Sequence, residues 1–187
     1  MIARFRLPGL LLALALTLPA AAAAQAPTTV IVVRHAEKAA DDPRDPELNP
    51  AGQARAQALT AALQGAGVDA IITTQFKRTR NTAAPLAQAL GITPEVIAAA
   101  GPSHVNDVAA AVRRHAGHTV VVVGHSNTVP AIIAALGGPR LPDLCDSQYA
   151  DFFVLVMDGS PQPSLIRSTY GTPSPAPGPE CNQAMRQ

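Results

Sequence analysis

Two histidines that each follow a run of apolar residues are the side chains best suited to chemistry in this sequence. Arg34 and His35 come directly after Val30–Val33, and His125 follows a second apolar run that ends at Gly124. Burying an arginine and a histidine without partners would be costly, so water or an anion is expected at this point. A neutral imidazole is a nucleophile and guanidinium groups bind phosphate oxygens, so these residue types suit phosphoryl transfer.

The elements that must position these residues alternate along the chain. The pattern predicts four strands, each followed by a helix. The predicted strands are Val30–Val33, Ala70–Thr74, Val96–Ala99 and Thr119–Val123. The predicted helices are Ala51–Gln64, Lys77–Leu90, Asn106–Ala116 and Asn127–Leu136. Unbroken apolar strands between helices indicate a doubly wound, mostly parallel α/β sheet with helices on both faces. The segments DFFVLVMDG and SLIRSTY, joined by a Gly/Ser/Pro turn, predict a late antiparallel hairpin.

The carboxyl ends of parallel strands are where such sheets bind ligands. Arg34 and His35 follow the first strand, Arg78 lies at the start of the helix after the second strand, and His125 follows the fourth. We therefore expect these four side chains to meet at one edge of the sheet. Helix N-termini also open there, and their N–H groups and dipoles favour a phosphate. With this much fixed positive charge, no metal is needed.

Four segments carry a resemblance to a known family: VVRHAEK, LNPAGQARA, TTQFKRTRNTA and VVVGHSNTV. In this order they resemble the signatures of the histidine phosphatase superfamily, the phosphoglycerate mutase-like clan, from about Val30 to Leu136. The resemblance implies a phosphoglycerate mutase-like fold. It also implies a phosphatase that hydrolyses a phosphomonoester or phosphoramidate through a phosphohistidine intermediate, with no metal or other cofactor.

The resemblance assigns roles to four residues of the matching segments. His35 would be the phosphorylated nucleophile, and Arg34 and Arg78 would bind the phosphate. His125 would be the second pocket histidine, with a part in both catalysis and phosphate binding.

The proton donor for the leaving group departs from the family pattern. Many members supply an acid after the third strand, whereas the stretch AAAGPSHVNDV offers His104 and Asp107 without a matching acidic motif. An acid could instead come from the loop that holds Asp41, Asp42, Asp45 and Glu47. A substrate with a good leaving group, such as a phosphoramidate, would need no strong acid.

The N-terminal segment has the composition of a secretory signal. Two arginines precede the apolar region Leu7–Leu18, and an alanine run supplies small-residue cleavage sites. The apolar region is short for a membrane span, so we expect cleavage and no stable membrane insertion. The predicted organisation is a signal peptide, 1–24, a catalytic domain, 25–171, and a Pro-rich tail, 172–187. An Ala- and Pro-rich composition with almost no lysine resembles that of bacterial chains from GC-rich genomes. Together with the signal, this makes the periplasm or secretion the expected destination.

Charge and cysteine content limit the partners of the mature chain. Removal of the predicted signal leaves 12 basic and 13 acidic residues, with no basic run that could follow a nucleic acid backbone. The expected partner is a small phosphorylated substrate, and the sequence does not define an oligomeric state. The chain has two cysteines, Cys145 and Cys181. In an exported protein they are expected to form a disulfide, with two free thiols as the alternative.

Two other functions fit parts of the pattern. A phosphate-binding module that has lost catalysis would explain the missing acid, although the intact histidines and arginines argue against it. A metal-dependent hydrolase could use His35, His125 and an aspartate as ligands. The neighbouring arginines would repel a cation, which disfavours that interpretation.

Overall fold

The computed structural model describes residues 26–176 and residue 181; the predicted signal and most of the predicted tail lie outside these residues. The elements of the described part follow in this order: β1 (Thr28–Arg34), α1 (Pro50–Leu63), β2 (Val68–Thr73), α2 (Lys77–Leu90), β3 (Glu95–Val96), α3 (His104–Arg114), β4 (Thr119–Gly124), α4 (Thr128–Ala135), β5 (Asp151–Met157) and β6 (Ser164–Thr169).

The strands form a single mixed sheet in the order β3-β2-β4-β1-β5-β6. β1 and β2 both pair with β4 in parallel, and β3 pairs with β2 in parallel. β5 runs antiparallel to β1, and β6 returns antiparallel to β5. This arrangement confirms the predicted mostly parallel sheet with a late antiparallel hairpin.

Alternate residues of the central strands face opposite layers of helices. Val30 and Val32 of β1 pack in the core beneath α3 and α4. Ile31 and Val33 pack in a second core beneath α1 and α2. Because side chains of a strand alternate between faces, an apolar run is needed wherever both faces are covered. The doubly wound architecture is therefore confirmed, with cores on both sides of the sheet.

The loops that leave β1 and β4 turn to opposite faces of the sheet. β1 leads to α1 on one side, whereas β4 leads to α4 on the other. Arg34 of β1 pairs with Gly124 of β4, so these two neighbouring strands end at the same level. Where loops from adjacent parallel strands diverge, a crevice opens at the carboxyl edge of the sheet.

The third strand is shorter than predicted and begins earlier. It consists of Glu95 and Val96, which pair with Ile72 and Thr73, whereas the prediction was Val96–Ala99. β2 ends at Thr73, so residues further along the third strand have no strand beside them. Glu95 lies within the observed strand and forms a surface ion pair with Arg114.

None of the helices within residues 26–176 has both the length and the apolar character needed to cross a membrane.

Candidate active site

The crevice brings His35 and His125 together because each follows the last residue of its strand. The backbone N–H of His35 donates to the carbonyl oxygen of Gly124 at 2.9 Å, which continues the pairing of β1 with β4. The two imidazole rings lie with their centroids 5.4 Å apart and their planes inclined by 63°. Residues that are 90 positions apart in the chain therefore share one site.

His35 is held as a neutral imidazole with one free ring nitrogen. Its Nδ1 lies 2.8 Å from the carbonyl oxygen of Ala36. A carbonyl oxygen can only accept, so Nδ1 carries the proton and Nε2 keeps its lone pair. Burial lowers the pKa of His35 to about 3, and the positive charges of Arg34 and Arg78 act in the same direction. The neutral form is the nucleophilic one.

His125 is oriented by two groups from the beginning of the α2 region. Its Nε2 lies 3.2 Å from the Thr74 hydroxyl oxygen, which lies 2.9 Å from the Thr79 hydroxyl. The Phe76 ring meets the imidazole edge-on, with centroids 5.5 Å apart. Burial first, and then the positive charge of Arg78, lower the pKa of His125 to about 4. Both histidines are therefore neutral near neutral pH, so the positive charge of the site comes from arginines.

Arg34 and Arg78 flank the histidines and differ in their surroundings. Arg34 is only 3% exposed, and its Nη1 donates to carbonyl oxygens of the turn that begins at Cys145. Its buried Nε has no hydrogen-bond partner among the described residues. Arg78 stacks on Phe76, with Cζ 4.2 Å from the ring centroid, and lies 4.0 Å from an Asp45 carboxylate oxygen. Both guanidinium groups retain N–H donors for an anion.

These residues line a cavity of about 590 Å³. We call Arg34, His35, Arg78 and His125 the pocket floor. The pocket rim comprises the charged residues of the same cavity that lie outside the floor: Lys38, Asp42, Arg44 and Asp146. Ser126 and Asn127, which precede α4, and the loop residues Ala39, Ala40, Pro43 and Pro46 complete the lining. The rim was not identified from the sequence, except for Asp42 as one of several acids in the loop.

The helix α1 supports the floor through a close approach at Gly52. A Cβ atom at this position would lie 2.2 Å from the carbonyl oxygen of Glu37, so no larger residue fits against the loop after His35. Leu48 and Ala56, four residues before and after Gly52, pack with Ala36 in a small buried cluster. The spacing L-x-x-x-G-x-x-x-A is therefore a packing motif that fixes the segment after the nucleophile candidate.

A buried ion pair fixes the same segment from the other side. Arg55 of α1 donates from Nε to both carboxylate oxygens of Glu37 at 2.9 Å and from Nη2 to one of them at 2.7 Å. It also donates to the carbonyl oxygens of Tyr170 and Thr172. Arg55 thus connects the segment after His35 to the segment that follows β6. No sequence motif indicated this role.

The structure separates the two proton-donor candidates from the cavity of the floor. Asp107 is exposed on the first turn of α3, off the buried face that His104, Val108 and Val112 form. His104 is buried, donates from Nδ1 to the carbonyl oxygen of Ala98, and has no partner for Nε2 among the described residues. It lines a neighbouring cavity of about 390 Å³ that shares Arg78, His125 and Asn127 with the first.

The carboxylates that do reach the main cavity are Asp42 and Asp146. Asp42 accepts hydrogen bonds from the backbone N–H groups of Arg44 and Asp45, which lower its pKa. It is therefore held ionised and is a poor proton donor. Asp146 is a fully exposed side chain 3.5 Å from Arg34 Nη2.

Cys145 and Cys181 have Cα atoms 5.6 Å apart, a separation compatible with the expected disulfide. In the described part of the chain, no group of three or more His, Cys, Asp or Glu side chains is arranged to hold a metal ion.

A family model described as the histidine phosphatase superfamily (branch 1) matches residues 30–100. The matched segment contains Arg34, His35 and Arg78 but ends before His125. No curated protein matches the chain. The match to the family model covers less than half of the chain.

Solved structures with the same fold include several phosphatases. The protein histidine phosphatase SixA, complexed with tungstate, superposes with a TM-score of 0.62 at 19% identity, covering 75% of this chain and 96% of SixA. A mycobacterial glucosyl-3-phosphoglycerate phosphatase superposes with a TM-score of 0.57 at 19% identity. The match covers 78% of this chain and 100% of that phosphatase. Phosphoserine phosphatase from Entamoeba histolytica, in complex with 3-phosphoglyceric acid, superposes with a TM-score of 0.55 at 14% identity. The match covers 78% of this chain and 98% of that enzyme. At these identities the likeness shows the fold.

Proposed function

We propose that this protein is a metal-independent phosphatase that hydrolyses a phosphomonoester or phosphoramidate through a phosphohistidine at His35. The observation that carries the proposal is the neutral His35, with its proton on Nδ1, at the bottom of a cavity that also holds His125 and two arginines. The match of the family model and the phosphatases that share the fold support the same activity.

The floor provides for both steps of such a reaction. His35 Nε2 attacks phosphorus, and the N–P bond forms as the bond from phosphorus to the leaving group breaks. Arg34 and Arg78 donate to the phosphoryl oxygens and oppose the charge that develops on them, while His125 contacts another of these oxygens. Water then attacks the phosphohistidine, which releases phosphate and restores the neutral imidazole.

The residues of the rim favour a substrate whose leaving group does not require protonation by an acidic side chain. Asp42 is held ionised, and neither His104 nor Asp107 lines the main cavity. When the P–N bond of a phosphoramidate breaks, the phosphoryl group passes to His35 and the nitrogen group, protonated by water, departs as a neutral base, so a phosphoramidate suits a cavity without an acid. Among phosphomonoesters, those with acidic leaving alcohols are expected to react fastest.

Phosphate release from a panel of phosphoesters and phosphoramidates, measured in chelator, tests the proposal. The mature protein is compared with His35→Ala and with His118→Ala, which changes an exposed histidine paired with Asp69 at the other edge of the sheet. Activity that survives the chelator, is lost only in His35→Ala and is inhibited by tungstate supports the proposal. Absence of turnover by the folded wild-type protein would falsify it; tight phosphate binding would then favour the binding module.

We also propose that the protein is exported to the bacterial periplasm or secreted after removal of residues 1–24. The signal-like N-terminus and the cysteine pair at disulfide distance support this proposal. N-terminal sequencing of the protein recovered from a periplasmic fraction tests it. A chain that begins with residue 25 is expected, and an intact N-terminus in the cytoplasmic fraction would contradict it.

A further inference from the structure

The Arg34 guanidinium is oriented by one turn from a distant part of the chain. Its Nη1 donates to the carbonyl oxygens of Cys145, Asp146 and Gln148 at 2.7, 3.1 and 3.2 Å. The Tyr149 ring lies against the guanidinium, with Cζ 4.2 Å from the ring centroid. Nη1 is thereby committed to this turn, whereas Nη2 has only the exposed Asp146 carboxylate at 3.5 Å and Nε has no partner among the described residues. The position of this turn therefore sets the direction of those donors.

The turn itself lies in a segment without helix or strand, between α4 and β5. Within it, the N–H of Cys145 donates to the Gln148 side-chain oxygen at 2.7 Å. The remaining supports come partly from the predicted tail. The Ser174 hydroxyl oxygen accepts the N–H groups of Tyr149 and Ala150, each at 2.9 Å, and Cys181 lies beside Cys145.

The tail is in turn attached to the segment after His35. Arg55 donates to the carbonyl oxygens of Tyr170 and Thr172 at 3.0 and 2.9 Å while it holds Glu37. Contacts of the described residues therefore link Arg55 to the segment that holds Ser174, and Ser174 and Cys181 to the turn whose carbonyl oxygens hold Arg34.

We propose that a Cys145–Cys181 disulfide anchors the turn at residues 145–149 and thereby positions Arg34 for binding phosphoryl oxygens. The proposal rests on the proposed function, because it requires the pocket floor to bind a phosphoryl group. The cysteines are positioning residues: Cys145 acts on Arg34 through its carbonyl oxygen, and Cys181 acts through the bond to Cys145. Opening the disulfide removes one support of the turn and leaves the hydrogen bonds of Leu144 to Ser126 and of Cys145 to Gln148, so the direction of the guanidinium is fixed less firmly. A guanidinium group must be held in a fixed orientation to donate two parallel hydrogen bonds to an oxyanion.

Reduction tests the proposal cleanly because the chain has no other cysteine. A dithiol such as dithiothreitol transfers two electrons and two protons to the disulfide, which gives two protein thiols and the cyclic disulfide of the reagent. Tungstate binding to the mature protein is measured by calorimetry before and after reduction, well below the unfolding temperature. We expect reduction to weaken tungstate binding about tenfold, the equivalent of one charge-assisted hydrogen bond.

Two variants separate positioning from general stabilisation. Cys181→Ser is expected to bind tungstate as weakly as the reduced protein and to be insensitive to dithiothreitol. Gln148→Leu keeps both cysteines but removes the acceptor of the Cys145 N–H, so it should weaken tungstate binding by about threefold without reduction. Circular dichroism shows that each variant is folded at the temperature of the assay.

Three outcomes overturn the inference while leaving the proposed function intact. Equal tungstate affinity in the oxidised and reduced proteins, with only a lower unfolding temperature after reduction, would mean that the disulfide merely stabilises the fold. Two free thiols in protein recovered from an oxidising compartment would mean that the bond does not form. An effect of dithiothreitol that persists in Cys181→Ser would assign the change to something other than the bond. By contrast, oxidised wild-type protein that binds no tungstate and releases no phosphate would contradict the proposed function itself.

Discussion

The pocket floor and the pocket rim lie within one cavity, but the chain holds them differently. Arg34 and His35 of the floor are 3% and 4% exposed, and both are fixed by backbone carbonyl oxygens. Lys38 and Arg44 of the rim are exposed and form no ion pair with an acid among the described residues. Groups that react must be fixed, because a small displacement removes them from the transition state. Groups that select a leaving group can remain exposed, so we assign the reaction to the floor and the choice of substrate to the rim.

The largest expected effect compares two arginines of α2, one in the floor and one outside it. Arg78→Ala should lower kcat/KM by about a thousandfold, since it removes a fixed charge that opposes the transition-state oxygens. The exposed Arg80 lies two positions further along the helix, and Arg80→Ala should change kcat/KM by less than about twofold. Steady-state kinetics on one substrate measures both variants. Similar losses in the two would contradict the separation of floor and surface.

A second prediction concerns the ion pair that supports the floor. Glu37→Gln leaves the buried Arg55 charge without its carboxylate, so the free energy of unfolding should fall by about 3 kcal/mol. Urea unfolding measures this change. Glu47→Gln is the matched control, because Glu47 pairs with Lys77 where both side chains are exposed. An equal loss in the control would mean that burial of the Arg55 pair has no special importance.

The third prediction concerns the pH dependence of stability. His35 has its pKa lowered from 6.5 to about 3 by burial, so the unfolded chain binds a proton that the folded chain does not as the pH falls below 6.5. Stability is therefore full above this value and is lost progressively between about pH 6.5 and pH 3. By about pH 5, His35 alone should lower the free energy of unfolding by about 2 kcal/mol.

Urea unfolding of the wild type and of His35→Gln, at several values of pH, measures this effect. The variant should show a shallower dependence over the same range, because glutamine does not titrate. If the free energy of unfolding of the two proteins depended on pH with the same slope, His35 would be protonated in the folded protein over this range and would not be the neutral imidazole that the floor requires.

The smallest expected effect distinguishes the rim from the floor. Lys38→Ala and Arg44→Ala should each raise KM by about threefold for a substrate whose leaving group carries a second negative charge. A substrate with an uncharged leaving group should be unaffected, and high salt should reduce the difference because both side chains are exposed. A loss of kcat on both substrates would instead place these residues in the reaction.

The positions of the floor residues could be predicted from the sequence because they depend on strand ends. The apolar runs before His35 and His125 mark two buried parallel strands, and parallel strands end at the same edge. The same reasoning predicts a third strand that is too long. The length of β3 is limited by the end of its neighbour β2 at Thr73, and the residues of β3 themselves do not indicate where β2 ends. The charge of Asp107 and its place in the chain make it a candidate donor in the sequence, whereas in the structure it lies off the buried face of α3 and is exposed.

The sequence by itself therefore determined the alternation of strands and helices and which side chains stand at the carboxyl edge. Apolar periodicity and chain order are sufficient for this, since both are local properties of the sequence. Only the tertiary structure decided how Arg34 is held and that Ser174, Cys181 and Arg55 connect to it. The contacts that hold Arg34 come from backbone carbonyl oxygens more than 100 positions away in the chain. Every residue has such an oxygen, so no pattern of side chains can reveal which ones will meet the guanidinium.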